Sequence, residues 1–231
     1  MNDEFSLIVP RPVFIVLHLS HPSLKLERTF LSRGHCLIAG IDEAGRGAWA
    51  GPVVAAAVIL PLDRPRLSAA LKGVNDSKQL TARQRERLYD VICKVAVAVG
   101  VGGAGPGEVD RDGIIAATRA AMQRAVAMLD PQPDALLIDA VNLQSLIPLP
   151  QRSLNFGDSI SLSIAAASII AKVSRDRAMA ALDSRYPGYS FAKHKGYGTA
   201  FHRAALERIG VSEVHRRSYR PVARVPGKTG L

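Results

Sequence analysis

Residues 37–51 restrict what this chain can fold into more than any other part of the sequence. An apolar run of five residues leads into the adjacent carboxylates Asp42 and Glu43, and a Gly45-Arg46-Gly47 turn follows one residue later. Successive side chains of a strand point to opposite faces, so the two acids can share one ion only where the backbone leaves the extended conformation. The glycines permit this, because glycine tolerates positive φ and lets another molecule approach closely. The pattern predicts a strand that ends at a metal-held phosphodiester.

Two more acids stand at the ends of predicted elements. Residues 52–60 form a second buried strand after the glycine turn, so the first acidic pair lies at the mouth of a hairpin. Asp139 ends an apolar run that begins at Ala135, which is typical of a buried central strand, and Asp158 precedes a helical run. Oxygen ligands alone select hard ions such as Mg²⁺ or Mn²⁺ over zinc. Two such ions, roughly 3.5–4 Å apart once substrate is bound, would clamp an in-line displacement at phosphorus.

Two of these acids also have a plainer interpretation. An aspartate at a strand end, such as Asp139, is often a turn former, and Asp158 could instead cap the helix that follows it. The pair Asp42 and Glu43 is harder to explain structurally, because neighbouring carboxylates repel and raise each other's pKa when no cation is present. Spacing leaves the alternatives open for Asp139 and Asp158, and only the fold can bring all four acids together.

The charge of the chain indicates an acidic partner. The 231 residues carry a formal net charge of +10, and residues 172–231 hold 13 Lys and Arg against 4 Asp and Glu. A solvated basic surface that aids solubility would explain this as well, but beside a carboxylate site the excess favours nucleic acid. The lysines expected to contact phosphates are Lys78, Lys172, Lys193 and Lys195.

Other features of the composition exclude several classes of site. Cys36 and Cys93 lie far apart without a Cys-x-x-Cys spacing, so the sequence predicts neither a zinc motif nor a disulfide framework, and a cytoplasmic location fits. The apolar segment at residues 13–17 is too short to span a bilayer. The histidines of the basic region are expected to pack or to contact phosphate rather than to act as general bases. They are His194, His202 and His215.

Periodicity and capping signals predict a mixed α/β architecture, with strands dominating the first half and helices the second. Thr81-Ala82-Arg83-Gln84 has the capping-box pattern that opens a helix. Strands are predicted at residues 94–101 and 152–156, helices at 108–129, 161–184 and 199–209, and a basic loop at 191–198.

Six separated blocks, in one order, resemble bacterial ribonuclease HII, the type 2 ribonuclease H family. They are residues 38–60, Asn75-Asp76-Ser77-Lys78, Leu137-Ile138-Asp139, Gly157-Asp158, residues 163–177 and residues 186–199. The resemblance implies a ribonuclease H-like mixed sheet flanked by helices. Residues 37–222 would be the catalytic domain, with a helical C-terminal lobe from about residue 185. Residues 1–36 would be a partly disordered N-terminal extension and residues 223–231 a basic tail.

The resemblance also implies roles for individual residues. The catalytic, metal-binding acids would be Asp42, Glu43, Asp139 and Asp158. The backbone groups that approach the ribose 2′-hydroxyl would be those of Gly45, Arg46 and Gly47, and Tyr197 would lie against the sugar of the following deoxynucleotide. The implied activity is hydrolysis of RNA in RNA–DNA hybrids and incision 5′ of single ribonucleotides in duplex DNA, leaving 3′-hydroxyl and 5′-phosphate ends.

The chain departs from the usual family pattern at three places. It has Ala48-Trp49 where Pro-Leu is usual, Ala140 where a glycine usually follows the acid, and Phe156 where a lysine is usual. None of these differences removes a carboxylate. They bear on the shape of the substrate groove and on one phosphate contact.

Two alternatives stay open at this point. Ribonuclease HIII has a similar catalytic domain but usually a larger N-terminal substrate-binding domain, whereas about 36 residues precede the first strand here. A non-catalytic hybrid-binding protein would keep the basic face and lose its chemistry, but all four acids are present. We expect a monomer, and the sequence does not identify a replication or repair partner.

Overall fold

The computed structural model describes residues 21–225, which build one five-stranded mixed sheet and its surrounding helices. The strands are β1 (Ile38–Ala44), β2 (Val53–Ile59), β3 (Ala98–Ala104), β4 (Ala135–Asp139) and β5 (Gln151–Leu154). Their order in the sheet is β3-β2-β1-β4-β5. β1 pairs antiparallel with β2 and parallel with β4, and β5 runs parallel to β4. The C-terminal ends of β1 and β4 therefore lie side by side.

Helices cover both faces of the sheet. They are α1 (Lys25–Leu31), α2 (Leu67–Ala70), α3 (Ala82–Val95), α4 (Pro106–Asp112), α5 (Ile114–Ala127), α6 (Leu162–Arg185), α7 (Phe191–His194), α8 (Ala200–Ile209) and α9 (Arg220–Ala223). α5 packs on one face and α3 and α6 on the other, which explains why β2 is buried at every position. α6 approaches β1 so closely that a Cβ on Gly40 would lie 2.2 Å from the carbonyl carbon of Ser163.

The predicted architecture is confirmed, with differences in several elements. The capping box of α3 forms as predicted from Thr81. The helix predicted at 108–129 is two helices, because Gly113 adopts a φ of 81° between them. The strand predicted at 94–101 begins only at Ala98, since α3 continues to Val95 and buries Ile92 at helical spacing. The basic loop predicted at 191–198 contains the one-turn helix α7.

Beyond α6 the chain forms a helical C-terminal lobe, as predicted. Its core is formed by Met179, Tyr189, Phe191, Ala205, Leu206 and Val222, with Ala50 from the loop after β1. Backbone hydrogen bonds join that loop to the lobe. Trp49 N–H donates to the Gly196 carbonyl at 2.8 Å, and the N–H of Arg216 donates to the Trp49 carbonyl at 2.8 Å. The lobe therefore holds the segment that carries the Gly-Arg-Gly turn.

Helix α1 lies within the stretch predicted to be an N-terminal extension, and it packs on the sheet domain. Glu27 is fully buried and accepts hydrogen bonds from the hydroxyls of Ser161 and Ser163, each at 2.7 Å. The predicted domain boundaries stay a prediction. Of the extension expected at residues 1–36 and the basic tail expected at 223–231, residues 1–20 and 226–231 lie outside the described residues. Between residues 21 and 225, no helix has the length and apolar character needed to cross a membrane.

Candidate active site

The four predicted acids lie where three neighbouring elements end. β1 and β4 pair in parallel up to the residues that precede Asp42 and Asp139, so these two acids leave the sheet side by side. Glu43 follows in β1, and Asp158 lies in the 3₁₀ turn Gly157–Ser159 that follows β5. Asp42 and Asp158 are buried, with 5% exposure each. The parallel pairing of two distant strands thus builds the site.

A hydrogen bond fixes the position of Asp158. The N–H of Gly157 donates to Oδ1 of Asp139 at 2.8 Å, which holds the 3₁₀ turn against the end of β4. The helix that follows is capped by the side chain of Ser161. Helix capping therefore does not account for Asp158, and the hydrogen bond that Asp139 accepts comes from a distant segment rather than from a turn of its own.

Burial and mutual repulsion raise the pKa of every acid in this group. Burial, and then the charges of Glu43 and Asp139, raise the pKa of Asp42 well above its usual range. Burial also raises the pKa of Glu43, although Arg46 opposes this, and it raises the pKa of Asp139. The pKa of Asp158 rises to about 6 through burial and neighbouring acids. The structure brings all four acids close enough to repel one another.

The acids retain free capacity for a cation. Oε1 of Glu43 pairs with Nη1 of Arg46 at 3.2 Å, but the buried Oε2 has no hydrogen-bond partner within residues 21–225. Burying an unpaired carboxylate oxygen is costly, and a divalent cation would satisfy it. In the same residues, no three His, Cys, Asp or Glu side chains are already arranged to hold an ion, so a cation would have to draw the acids closer. The donors are oxygens, which fit Mg²⁺ or Mn²⁺.

The structure adds to this site Asp76, an acid that was not among the four predicted. After burial, Asp76 is the main cause of the raised pKa of Asp158. Asp76 also accepts the N–H of Lys78 at 2.9 Å. Lys78 lies among the acids, and although burial opposes its charge, their carboxylates raise its pKa. In the sequence, the sign that Asp76 belongs to the site is its place in one of the six blocks named above.

The Gly45-Arg46-Gly47 turn has a packed inner face and an open outer face. Gly45 has a φ of 96°, and a Cβ there would lie 1.9 Å from Nε of Arg175, so only glycine fits. A Cβ on Gly47 would meet no atom within 4 Å. Because Arg46 pairs with Glu43, the turn lies directly beside the acids.

The ring of Tyr197 has two cationic neighbours, Arg175 and Lys172. Arg175, which packs against Gly45, has its guanidinium carbon 5.1 Å from the centroid of the Tyr197 ring. Nζ of Lys172 is 5.7 Å from the same centroid and pairs with Asp176 at 2.6 Å. Tyr197 is thus connected to the turn through Arg175.

The other two predicted lysines belong to the lobe. Nζ of Lys193 lies 4.3 Å from the ring centroid of the exposed Phe201, and Nζ of Lys195 donates to the Ala192 carbonyl at 2.7 Å. The structure therefore divides the predicted lysines. Lys78 lies with the acids, and the lobe lysines make contacts around α7.

The three histidines pack together inside the lobe. Nε2 of His202 and Nε2 of His215 are 3.0 Å apart, and the rings of His194 and His202 stack with centroids 4.5 Å apart. The N–H of Ser212 donates to Nδ1 of His215, while Nδ1 of His202 bonds the Tyr197 carbonyl at 3.0 Å. These bonds define one arrangement of neutral rings. Burial lowers the pKa of His202 and of His215 to about 4.

The family model for ribonuclease HII matches residues 39–222, which include the sheet, the acids and the lobe. The chain belongs to the ribonuclease HII family. It is 56% identical over 201 residues to ribonuclease HII of Chloroflexus aurantiacus, covering 87% of this chain and 94% of that protein. It is 53% identical over 204 residues to the Geobacillus thermodenitrificans enzyme, covering 88% and 76%. The protein is thus a ribonuclease H, a hydrolase with endonuclease activity on RNA strands, from a family that depends on divalent metal.

Solved structures share the fold. Ribonuclease HII of Archaeoglobus fulgidus, in a complex with PCNA, is 27% identical with a TM-score of 0.68, covering 80% of this chain and 95% of that chain. Bst-ribonuclease HIII in complex with Mn²⁺ is 22% identical with a TM-score of 0.62, covering 81% and 68%. The ribonuclease H-like fold is therefore confirmed, and the family match decides against ribonuclease HIII.

The three departures from the usual family pattern can each be placed in the structure. Ala140, directly after Asp139, and Phe156 both have left-handed backbone, with φ values of 54° and 58°. The side chain of Phe156 is 73% exposed. Trp49 covers Gly198, where a Cβ would lie 2.2 Å from the indole ring. Ala140 and Phe156 thus hold left-handed backbone beside the acids, and Trp49 lies at the join between turn and lobe.

Proposed function

We propose that this protein hydrolyses the RNA strand of RNA–DNA hybrids and cuts on the 5′ side of single ribonucleotides embedded in duplex DNA. The products would carry 3′-hydroxyl and 5′-phosphate ends. One observation carries the proposal: buried, mutually repelling carboxylates lie beside a glycine turn whose outer face is open. Ribose recognition and phosphodiester hydrolysis would then occur next to each other.

The proposed metal-binding and catalytic residues are Asp42, Glu43, Asp139 and Asp158, with two Mg²⁺ or Mn²⁺ ions per substrate-bound site. Such ions would supply an activated water and neutralise the charge on the leaving 3′-oxygen. The chain itself orients the ligands. Arg46 holds one oxygen of Glu43 and the Gly157 N–H holds one oxygen of Asp139, which leaves the second oxygen of each carboxylate for a cation.

Ribose recognition is assigned to the turn and to Tyr197. A 2′-hydroxyl can donate and accept hydrogen bonds, so backbone groups of the turn suffice to distinguish RNA from DNA. The open space around Gly47 admits a sugar. Tyr197 is half-buried and backed by Arg175, so its ring offers a fixed surface to the next sugar.

Phosphate contacts are assigned to two groups of lysines. Lys78 lies among the acids and Lys172 beside Tyr197, where they would meet the scissile and adjacent phosphates. Lys193 and Lys195 would contact phosphates further along the duplex, because they belong to the lobe. These contacts are electrostatic, so we expect binding to weaken steeply as salt concentration rises.

Cleavage of a short DNA duplex with one internal ribonucleotide tests the proposal. With Mn²⁺ or Mg²⁺ we expect a single cut on the 5′ side of the ribonucleotide, and Asp139→Asn should abolish it while hybrid binding survives. A duplex left uncut by this protein but cut by a control enzyme would contradict the proposal. Unchanged cleavage by Asp139→Asn would show that this acid is not needed, and hybrid binding without cleavage by the unaltered protein would favour a non-catalytic hybrid-binding protein.

We further propose a monomer that works in the cytoplasm. Both Cys36 and Cys93 are exposed free thiols, which suits a reducing compartment. Size-exclusion chromatography with light scattering tests the monomer, and a tagged copy of the full chain tests the location. The PCNA complex of the Archaeoglobus protein makes a replication clamp the first partner to try in a binding assay.

A further inference from the structure

Arg216 is a fully buried arginine that binds the loop after β1 through its guanidinium group. Its exposure is 0%. Nε and Nη2 donate to the carbonyl of Gly51 at 3.1 and 3.0 Å, and Nη1 donates to the carbonyl of Arg46 at 2.7 Å. The hydroxyl of Tyr219 also donates to the Arg46 carbonyl and accepts from Nη1 of Arg216 at 3.1 Å. Two donors therefore fix one carbonyl of the turn.

Burial of this charged group costs free energy that packing alone does not explain. Within residues 21–225, Arg216 forms no ion pair with a carboxylate. A buried guanidinium compensated only by two carbonyls and one hydroxyl costs free energy that an apolar side chain of similar volume would not. The position of the carbonyls it holds is the feature that an apolar side chain could not supply.

The planarity of the peptide bond transmits this contact to the outer face of the turn. The Arg46 carbonyl and the Gly47 N–H belong to one trans peptide plane and point in opposite directions. Since the Arg46 carbonyl points to Arg216 and Tyr219, the N–H of Gly47 points away from these two side chains. Gly47 itself is exposed, and a Cβ there would meet no atom within 4 Å. Within residues 21–225 this N–H donates no hydrogen bond.

We propose that Arg216, with Tyr219, is a positioning residue that aims the Gly47 amide at the ribose of the substrate. The inference rests on the proposed function, because it assigns the cause of ribose selectivity at the same site. Neither side chain touches the substrate in this scheme. Both act by preventing rotation of the peptide plane between Arg46 and Gly47.

Selectivity for ribose over deoxyribose provides the test. For each variant of the full chain, we would measure KM for a duplex with one ribonucleotide and the inhibition constant of the same duplex made only of DNA. The selectivity ratio is the inhibition constant of the DNA duplex divided by KM for the ribonucleotide duplex. Arg216→Lys should lower this ratio about tenfold, since it removes the forked contacts to two carbonyls. Tyr219→Phe removes one of the two donors and should lower the ratio about threefold.

Leu206→Ala is the matched control for loss of stability. Leu206 lies in the same lobe core, is 2% exposed, and its truncation leaves a cavity without touching the hydrogen bonds of the turn. We expect it to lower thermal stability while the selectivity ratio stays within about twofold of the unaltered protein. A purely structural role of Arg216 would make Arg216→Lys behave like Leu206→Ala.

The possible outcomes separate the inference from the proposed function. If the unaltered protein cuts the ribonucleotide duplex and both Arg216→Lys and Tyr219→Phe keep its selectivity ratio, the positioning role is overturned and the proposed function stands. If Arg216→Lys does not fold, Tyr219→Phe decides alone. If the unaltered protein leaves the ribonucleotide duplex uncut and does not prefer it over DNA, the proposed function fails and the positioning role fails with it.

Discussion

The acidic end of the sheet and the core of the C-terminal lobe both bury ionisable side chains, but only the lobe provides the described side chains with hydrogen-bond partners for all their polar atoms. In the lobe, both ring nitrogens of His202 and of His215 have hydrogen-bond partners. At the acidic end, Oε2 of Glu43 has no partner within residues 21–225, and the carboxylates repel. A fully satisfied polar group fixes a shape, whereas an unsatisfied one retains the capacity to bind a ligand.

The two regions also contribute to stability with opposite dependence on pH. Burial lowers the pKa of the two lobe histidines, so their contribution is lost on acidification. Burial and repulsion raise the pKa of Asp158 to about 6, so its contribution is lost as pH rises from 3.8 through 6. Point variants, changes of pH and added metal can therefore distinguish the contribution of the acidic end to stability and activity from that of the lobe.

The largest expected effect comes from Asp42→Asn. Asp42 is a proposed metal ligand, so its loss should reduce cleavage of the ribonucleotide duplex by more than about a hundredfold. Loss of a group that only supports a ligand typically costs about 10–100-fold. The metal-free protein should become more stable, because the change removes a buried and repelled charge. Cleavage assays and urea unfolding in EDTA measure the two effects. The control Asp63→Asn, at an exposed turn, should change neither cleavage nor stability. A loss of stability in Asp42→Asn would mean that the acidic end does not hold a repelled charge, and the contrast with the lobe would fail.

Acidification should destabilise the lobe. For a histidine with a pKa near 4 in the folded state and 6.5 when unfolded, the unfolded chain binds more protons between these values. The free energy of unfolding should fall by about 3 kcal/mol for one ring as pH drops from 6.5 to 4. Urea unfolding followed by fluorescence of Trp49, whose ring lies 5.4 Å from that of His202, measures this.

Asp158→Asn sharpens the pH experiment. Asp158 opposes the histidines between pH 3.8 and 6, because its folded form binds the proton more tightly than its unfolded form. Without it, the loss of stability on acidification should be steeper. An unchanged slope would mean that Asp158 is not repelled as the structure indicates.

Mn²⁺ should stabilise the acidic end and leave the lobe unaffected. At a concentration a hundred times its dissociation constant, a ligand of the folded state adds about 2.7 kcal/mol, or about 5–10 °C in unfolding temperature for a domain of this size. Thermal unfolding with and without EDTA measures the shift. The shift should disappear in Asp139→Asn and persist in Leu206→Ala.

The smallest expected effect concerns the strained backbone after Asp139. Ala140 has a φ of 54°, which costs a residue with a Cβ about 1–2 kcal/mol. Ala140→Gly should raise the free energy of unfolding by about 0.5–1 kcal/mol, because glycine removes the strain but loses more entropy on folding. Ala96→Gly, at a φ of −63°, should lower the free energy of unfolding. If urea unfolding shows that both variants change this free energy in the same direction, Ala140 is not strained.

Local patterns were sufficient for the elements that carry strong periodicity. β4 begins at Ala135 and ends at Asp139 as predicted, and α6 lies within one residue of its predicted bounds. Weak patterns failed where two structures compete for the same residues. Alternating valines after Lys94 suit a strand, but Val95 still belongs to α3, because burial of Ile92 favours one more helical turn.

The sequence by itself determined the acids at strand ends, the glycines of the turn and the basic charge of the last quarter of the chain, because these follow from residue type and short spacing. Only the tertiary structure decided which acids meet, that Asp76 joins them, and that Arg216 holds the turn from 170 positions away. Those contacts depend on parallel pairing and on the docking of the lobe, which no local propensity encodes. The repulsion between the acids and the geometry of the turn can be identified only after folding has brought distant segments together.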